Sequence, residues 1–154
     1  MFWIGLTEEP LIEMEPGEQG RVGLLVLGGY EERFVAHTYT WSEHDYVSQW
    51  SAALVRALAG KASALVTDML KPAESSHLVW WPMWRINARI VFHNQLLFFE
   101  QHGIGGPSVD IEQLYGLIGK LESHGGGGEP LSEWTVPVPD IDTFLKSSAE
   151  RASV

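Results

Sequence analysis

Apolar runs and turn residues alternate at the start of the chain in a pattern that predicts antiparallel strands. Phe2 to Thr7 has the composition of a short strand, and Val22 to Leu27 is a continuous apolar run typical of a buried strand. Gly28 and Gly29 follow at once and supply the positive φ angles that a tight hairpin turn needs. Phe34 to Tyr39 is therefore predicted to return antiparallel to the apolar run.

The next segment has the clearest helical pattern in the chain. Ser42 is followed three residues later by Asp45, which is the spacing of a capping box with Asp in place of Glu. Gly60 stands where a C-terminal cap belongs. Between them an apolar residue recurs every fourth position and forms one face of a helix: Tyr46, Trp50, Leu54 and Leu58.

The second half of the chain continues to mix strands and helices. Strands are predicted at Ala64–Met69, Leu78–Ile86, Arg89–Phe99 and Glu133–Pro137, and helices at Asp110–Leu121 and after Asp140, which would cap the last helix. Asn87 and Ala88 separate two of these strands and indicate a second hairpin, in which Pro82 requires an edge position or a bulge. Because hairpins pair strands antiparallel, the pattern predicts an α+β fold.

An acidic segment near the start distinguishes this chain from an average domain. The chain has 154 residues, of which 20 are acidic and 10 basic, and its formal net charge is −10. Five carboxylates precede Arg21, the first basic residue: Glu8, Glu9, Glu13, Glu15 and Glu18. We predict a single domain over residues 1–154, with a mobile acidic loop at residues 8–20 and a mobile glycine-rich loop at residues 122–131.

The negative net charge disfavours some classes of binding partner. Nucleic acids and anionic membrane surfaces require clustered Lys and Arg, whereas an acidic surface attracts a basic protein and speeds the encounter. The apolar residues before Glu8 lack the basic flank of a signal peptide. The longest apolar stretch, from Val22 to Tyr30, is far shorter than the ~20 residues of a membrane-spanning helix. We expect a cytoplasmic protein that binds neither membrane nor nucleic acid directly.

The residue types that carry catalysis or bind metals form no recognisable motif. The sequence contains no cysteine, which excludes a disulfide framework and a thiol nucleophile, and no two of its 6 histidines have a compact metal-ligand spacing. Carboxylates such as Glu100 and Glu133 are too common in an acidic chain to be nominated as catalytic. These residues therefore nominate no catalytic site, and we predict no metal and no cofactor. Trp80, Trp81 and Trp84 are interpreted as core packing, with a stacking platform or a protein interface as the alternative.

Six segments, taken in their order along the chain, resemble those of a known protein family. They are Tyr30–Phe34, Trp41–Trp50, Ser63–Leu65, Trp80–Trp84, His93–Glu100 and Leu131–Trp134. In this order, over most of residues 24–145, they resemble the immunity proteins of bacterial contact-dependent growth inhibition systems, the CdiI family. The resemblance is to the branch that guards cells against a ribosomal-RNA-cleaving toxin of the colicin type. The segment before Arg21 and residues 101–130 do not match that pattern.

The resemblance implies a fold and a partner. The fold would be a single α+β domain with a curved antiparallel sheet of about six to seven strands and two or three packed helices, similar in shape to Whirly proteins that bind single strands. The partner would be the cognate toxin C-terminal domain, a basic nuclease, bound stoichiometrically and without catalysis. No functional residue is carried over from the family.

The hypothesis from this sequence is therefore an immunity protein that neutralises a basic RNase toxin. We nominate the five carboxylates from Glu8 to Glu18 as steering charges, and Glu31 and Glu32 as weaker candidates. Two other classes stay open on sequence grounds. One is a nucleic-acid-binding module of Whirly-like shape, and the other is a small hydrolase that uses carboxylates.

Overall fold

The described residues form nine strands and three helices. The structure, a computed structural model, describes residues 1–70, 77–99, 109–122 and 132–152. The strands are β1 (Phe2–Leu6), β2 (Ile12–Glu15), β3 (Glu18–Leu27), β4 (Tyr30–His37), β5 (Ser63–Asp68), β6 (His77–Ile86), β7 (Arg89–His93), β8 (Gln95–Phe98) and β9 (Glu133–Pro137). The helices are α1 (Glu43–Leu58), α2 (Ile111–Tyr115) and α3 (Val138–Ala152).

The first sheet is built around β3. Strand β4 pairs along one side of β3, while β1 and β2 pair with different stretches of its other side, all antiparallel. The turn between β3 and β4 has Gly28 at φ 64°, as the predicted hairpin requires. Residues 8–20, predicted as a loop, instead contain β2 and the start of β3. The physical reason is that β2 is fixed by its pairing with β3 rather than by its own composition.

The second sheet has β6 at its centre. Strand β5 pairs along one side of β6, β7 and β8 pair with successive stretches of the other side, and β9 pairs with β7. The hairpin predicted at Asn87 is confirmed, with Asn87 at φ 56°. Pro82 was predicted to require an edge position or a bulge. It lies in the central strand, but on the β7 and β8 side it falls between two ladders, because the β6–β7 ladder ends at Met83 and the β6–β8 ladder begins at Trp80.

Helix α1 supplies the aromatic side of the core. Ser42 caps it by accepting a hydrogen bond from the Asp45 amide, and the Asp45 carboxylate accepts one from the Ser42 amide, so the predicted capping box is confirmed. Trp50 is buried and donates through Nε1 to the carbonyl oxygen of Val66 at 2.7 Å. Burial of this face against β5 holds the helix on the second sheet.

A polar connection joins the two sheets beside α1. The hydroxyl of Tyr46 donates to the His37 carbonyl at 2.6 Å and accepts from the Met69 amide at 2.9 Å. His37 Nδ1 lies 2.8 Å from the carboxylate of Asp68, which also accepts a hydrogen bond from the His37 amide. Strand β4 is thereby tied to β5 through groups that are all satisfied in the interior.

Helices α2 and α3 differ from the predicted helices in where they begin and end. The helix expected at Asp110–Leu121 is limited to α2, with Asp110 as its N-cap. Asp140 does not cap the last helix, because α3 begins at Val138, whose amide donates to the Ala88 carbonyl. Instead Asp140 pairs with the N-terminal amine at 2.8 Å. The predicted glycine-rich loop at residues 122–131 lies outside the described residues except for Glu122.

The predicted fold class is confirmed. Strands and helices are combined in the α+β manner, every strand pairing in the described residues is antiparallel, and helices α1 and α3 pack on the strands. The strands are divided between a sheet of 4 and a sheet of 5, rather than one sheet of about six to seven. None of the described helices is long and apolar enough to cross a membrane.

Candidate protein-binding surface

Three of the nominated carboxylates lie together on one hairpin. Residues 12–20, which comprise β2, its turn at Gly17 and the start of β3, are called the acidic hairpin below. Glu13 and Glu15 are exposed on β2 and stand opposite Gln19 and Glu18 on β3. The structure thus brings Glu13, Glu15 and Glu18 into one negatively charged patch at the end of the first sheet.

The acidic hairpin also exposes apolar side chains, which the sequence analysis did not predict. Three large side chains in and beside β2 are exposed: Leu11, Ile12 and Met14. The alternation of Ile12, Glu13, Met14 and Glu15 is the strand signal that would have identified this segment. An apolar patch with polar groups around it matches the apolar core and polar rim of a protein interface.

A shallow cavity adjoins the acidic hairpin. It has a volume of about 410 Å³ and is lined by Glu13, Gly17, Glu18, Gln19, Thr38 and Tyr39. The Thr38 amide and hydroxyl both donate to the Gln19 carbonyl, which fixes the chain after β4 against the hairpin. The exposed ring of Tyr39 therefore stands beside the carboxylates of Glu13 and Glu18.

Glu9 differs from the other carboxylates because it is paired within the protein. Its carboxylate forms an ion pair with Arg33 of β4 and accepts a hydrogen bond from the Thr7 hydroxyl at 3.0 Å. The Arg33 guanidinium, followed by the Thr7 hydroxyl, holds the pKa of Glu9 below its usual value. Its carbonyl accepts from Arg21 at 2.7 Å. The charge of Glu9 is thus largely compensated, and Glu9 belongs to the packing of the first sheet.

The remaining nominated residues are separated from the hairpin. Glu31 stands opposite Val26, eight β3 positions from Glu18, which is about 26 Å at the usual rise of a strand. Glu32 is half-buried and accepts a hydrogen bond from the Tyr30 hydroxyl at 3.0 Å. Glu8 is exposed in the turn after β1. The seven candidates therefore do not form one continuous site.

Two histidine–carboxylate pairs exist in the described residues, and both are structural contacts. Burial raises the pKa of the Asp68 carboxyl, while its hydrogen bonds from His37 act in the opposite direction. His93 is buried beneath Trp84 and its Nε2 lies 3.0 Å from Glu133. No group of three or more potential metal ligands occurs within the described ranges. These pairs connect strands, β4 to β5 and β7 to β9.

The fold and this surface define an acidic α+β protein whose exposed groups suit contact with another protein. Residues 36–144 match the CdiI N-terminal domain family. The match covers more than half of the chain, and this protein belongs to that family. The sequence-based resemblance to CdiI proteins is therefore confirmed, although the nominated carboxylates all lie before the matched residues.

One solved structure is similar to this chain along almost its whole length. It is the CdiA-CT/CdiI toxin and immunity complex from Enterobacter cloacae, with a TM-score of 0.83 and 24% sequence identity. The similarity covers 97% of this chain and 99% of that chain, and it establishes a shared fold. A comparison of the chain with curated proteins found no match.

Proposed function

We propose that this protein is an immunity protein that binds and neutralises a cognate toxin C-terminal domain by stoichiometric contact. The observation that carries the proposal is the match of residues 36–144 to the CdiI N-terminal domain family. The similarity in fold to a chain of a toxin and immunity complex supports it. In this proposal the protein acts in the cytoplasm and is an inhibitor, not an enzyme.

We further propose that the toxin is a basic RNase. A nuclease that grips RNA carries clustered Lys and Arg, because most of its affinity comes from contacts with phosphates. The formal charge of −10 on this chain opposes such a surface in sign. Opposite fields raise the rate of encounter and disfavour partners of the wrong charge.

The acidic hairpin is the surface proposed to meet the toxin first. The side chains of Glu13 and Glu15 are exposed and make no hydrogen bond or ion pair within the described residues, so their field extends into solvent. Leu11, Ile12 and Met14 beside them provide apolar area that a partner would cover. Glu9 and Glu32 are assigned to internal contacts and are removed from the steering set.

Titration calorimetry against the toxin domain encoded beside this gene tests the proposal. We expect a one-to-one complex with a Kd below about 10 nM, near −11 kcal/mol. Ribosomal RNA cleavage by the toxin domain in a cell-free translation extract should stop at one molar equivalent of this protein.

The toxin domain of an unrelated growth inhibition system is the control and should not bind. Absence of binding to the neighbouring toxin at low salt, where electrostatic attraction is least screened, would contradict the immunity function. Binding without protection of ribosomal RNA would retain the immunity function and contradict the RNase assignment.

A further inference from the structure

A second surface feature lies in the second sheet, whereas the acidic hairpin belongs to the first. A cleft of about 270 Å³ opens between β8 and the segment that follows α2. We call it the aromatic cleft, and its principal walls are Trp80, Trp84, His93, Leu96, Phe98 and Leu117. Trp84 donates through Nε1 to the Gly119 carbonyl at 2.9 Å, which holds the segment after α2 against the sheet.

Three large apolar side chains on the walls of this cleft are exposed. Leu96 is 50% exposed, Phe98 39% and Leu117 41%, and all three line the same cleft. Large apolar side chains scattered singly on a surface are common, but a group of them around a concavity marks a site of association. The two formally charged residues on the rim are Lys120 and Glu122, of opposite sign.

Trp80, which lines the cleft, holds an unsatisfied hydrogen-bond donor. It is 1% exposed, and its Nε1 has no hydrogen-bond acceptor among the described residues. The other such buried nitrogen among the described residues, Arg21 Nε, lies 3.2 Å from the Glu43 carboxylate and is thus ion-paired. Buried donors are nearly always satisfied, because leaving one without a partner is costly. The Trp80 N–H is therefore the group that an incoming acceptor would satisfy.

The exposed side chains and the Trp80 donor restrict the occupant of the cleft. Its volume of about 270 Å³ has room for one or two side chains. An apolar side chain would cover Leu96, Phe98 and Leu117. A backbone carbonyl oxygen beside it would accept a hydrogen bond from the Trp80 N–H.

We propose that the aromatic cleft is the anchor pocket for an apolar side chain of the toxin domain, whose neighbouring carbonyl accepts a hydrogen bond from Trp80 Nε1. This inference rests on the proposed immunity function and assigns a second contact, separate from the acidic hairpin. Side-chain rotamers at interfaces commonly change on binding, and such a change in the exposed walls gives the carbonyl access to Trp80. Desolvated aromatic pockets of this kind dominate binding energy and set the dissociation rate.

Dissociation kinetics of wall variants test the anchor. Leu96→Ser and Leu117→Ser each truncate an exposed residue, so the fold is retained, and thermal unfolding verifies this. Each should raise koff for the neighbouring toxin domain about tenfold while leaving kon and its salt dependence within about twofold. Val55→Ser is the matched control, because Val55 is 58% exposed on α1 and does not line the cleft; its koff should be unchanged.

The outcomes separate this inference from the proposed function. Tight toxin binding with unchanged koff in both wall variants would overturn the anchor pocket and leave the immunity function intact. A failure of the wild-type protein to bind the toxin would overturn both.

The Trp80 donor is tested by a replacement that removes only the N–H. Benzothienylalanine at position 80 keeps the ring size and lacks the donor. We expect faster toxin release and no loss of stability in the free protein, because no internal hydrogen bond is removed. The same replacement at Trp50, which donates to Val66, should show the reverse pattern. Equal koff for wild type and the position-80 variant would overturn the assignment of Trp80.

Discussion

Reversal of two charges in the acidic hairpin should slow toxin capture. The variant is Glu13→Lys with Glu15→Lys, chosen because both side chains are exposed and neither is paired within the described residues. Both residues lie on an edge strand whose backbone pairing with β3 does not depend on the carboxylates. The fold should therefore survive, while the field that a basic partner experiences changes sign at this position.

The magnitude follows from Coulomb's law with screening. One unit charge of the hairpin and one on the toxin, ~10 Å apart in water, interact by about 0.4 kcal/mol. Two reversals change the charge by four units, or about 1.7 kcal/mol before screening. With Debye lengths of about 30 Å at 0.01 M salt and 10 Å at 0.1 M, about 1.2 and 0.6 kcal/mol remain. Association should slow about eightfold at the lower salt concentration and threefold at the higher one.

Stopped-flow association at several salt concentrations measures this effect. The matched control is Asp142→Lys with Glu150→Lys on α3, which makes the same change in net charge on two exposed residues away from the hairpin. The control should slow association less than the hairpin variant. If both variants slow association equally, only net charge matters and the hairpin is not the steering surface. If neither changes the rate, electrostatic steering itself is refuted.

Three further predictions concern the core that supports these surfaces. Trp50→Ala should lower the free energy of unfolding by about 3–5 kcal/mol in urea titrations, because it empties a buried site and removes the hydrogen bond to Val66. Gly23→Ala should lower the free energy of unfolding by about 1–3 kcal/mol, because its new Cβ would lie 2.3 Å from the ring of Phe34. Phe34→Leu in the same background should recover part of this loss. Burial raises the pKa of Tyr46 above 10, so the unfolded chain loses the phenol proton first as pH rises. The free energy of unfolding should therefore fall above about pH 10, by up to ~1.4 kcal/mol per pH unit. The fall should be less steep in Tyr46→Phe.

The features that were predictable from sequence are those decided by neighbouring residues. Helix α1 was predicted correctly because its cap and its apolar face are both encoded within one stretch of chain. The hairpin at Gly28 has the same local basis, since the turn needs a positive φ that glycine supplies. These signals are independent of how the rest of the molecule packs.

The features that were missed depend on how the strands pair. Strand β2 was predicted as a loop because its alternating pattern covers only four residues, two of them glutamate, and its pairing with β3 holds it as a strand. Pro82 lies in a central strand at a point that the β6–β7 and β6–β8 ladders both leave out. The extent of these ladders is a property of the folded sheet.

The same distinction applies to the candidate sites. Charge density along the chain identified the acidic segment, but the pairing of Glu9 with Arg33, 24 positions later, is a property of the folded sheet. The aromatic cleft was foreseen only as an alternative interpretation of the tryptophans. The acceptor of each indole N–H is decided by packing. Trp50 and Trp84 donate to carbonyl oxygens, whereas Trp80 has no acceptor among the described residues.

The two surfaces have physical properties suited to different stages of inhibition. Carboxylates act over a Debye length of about 10 Å, before contact, and therefore influence how often the toxin arrives. Apolar packing in the aromatic cleft acts only at contact, and therefore influences how long the toxin stays. If both surfaces contact one toxin, hairpin and cleft variants should change kon and koff separately, and a variant of both should show the two effects multiplied. A strong departure from this product would mean that the surfaces are coupled, either through the toxin or through the connection between the sheets at His37 and Asp68.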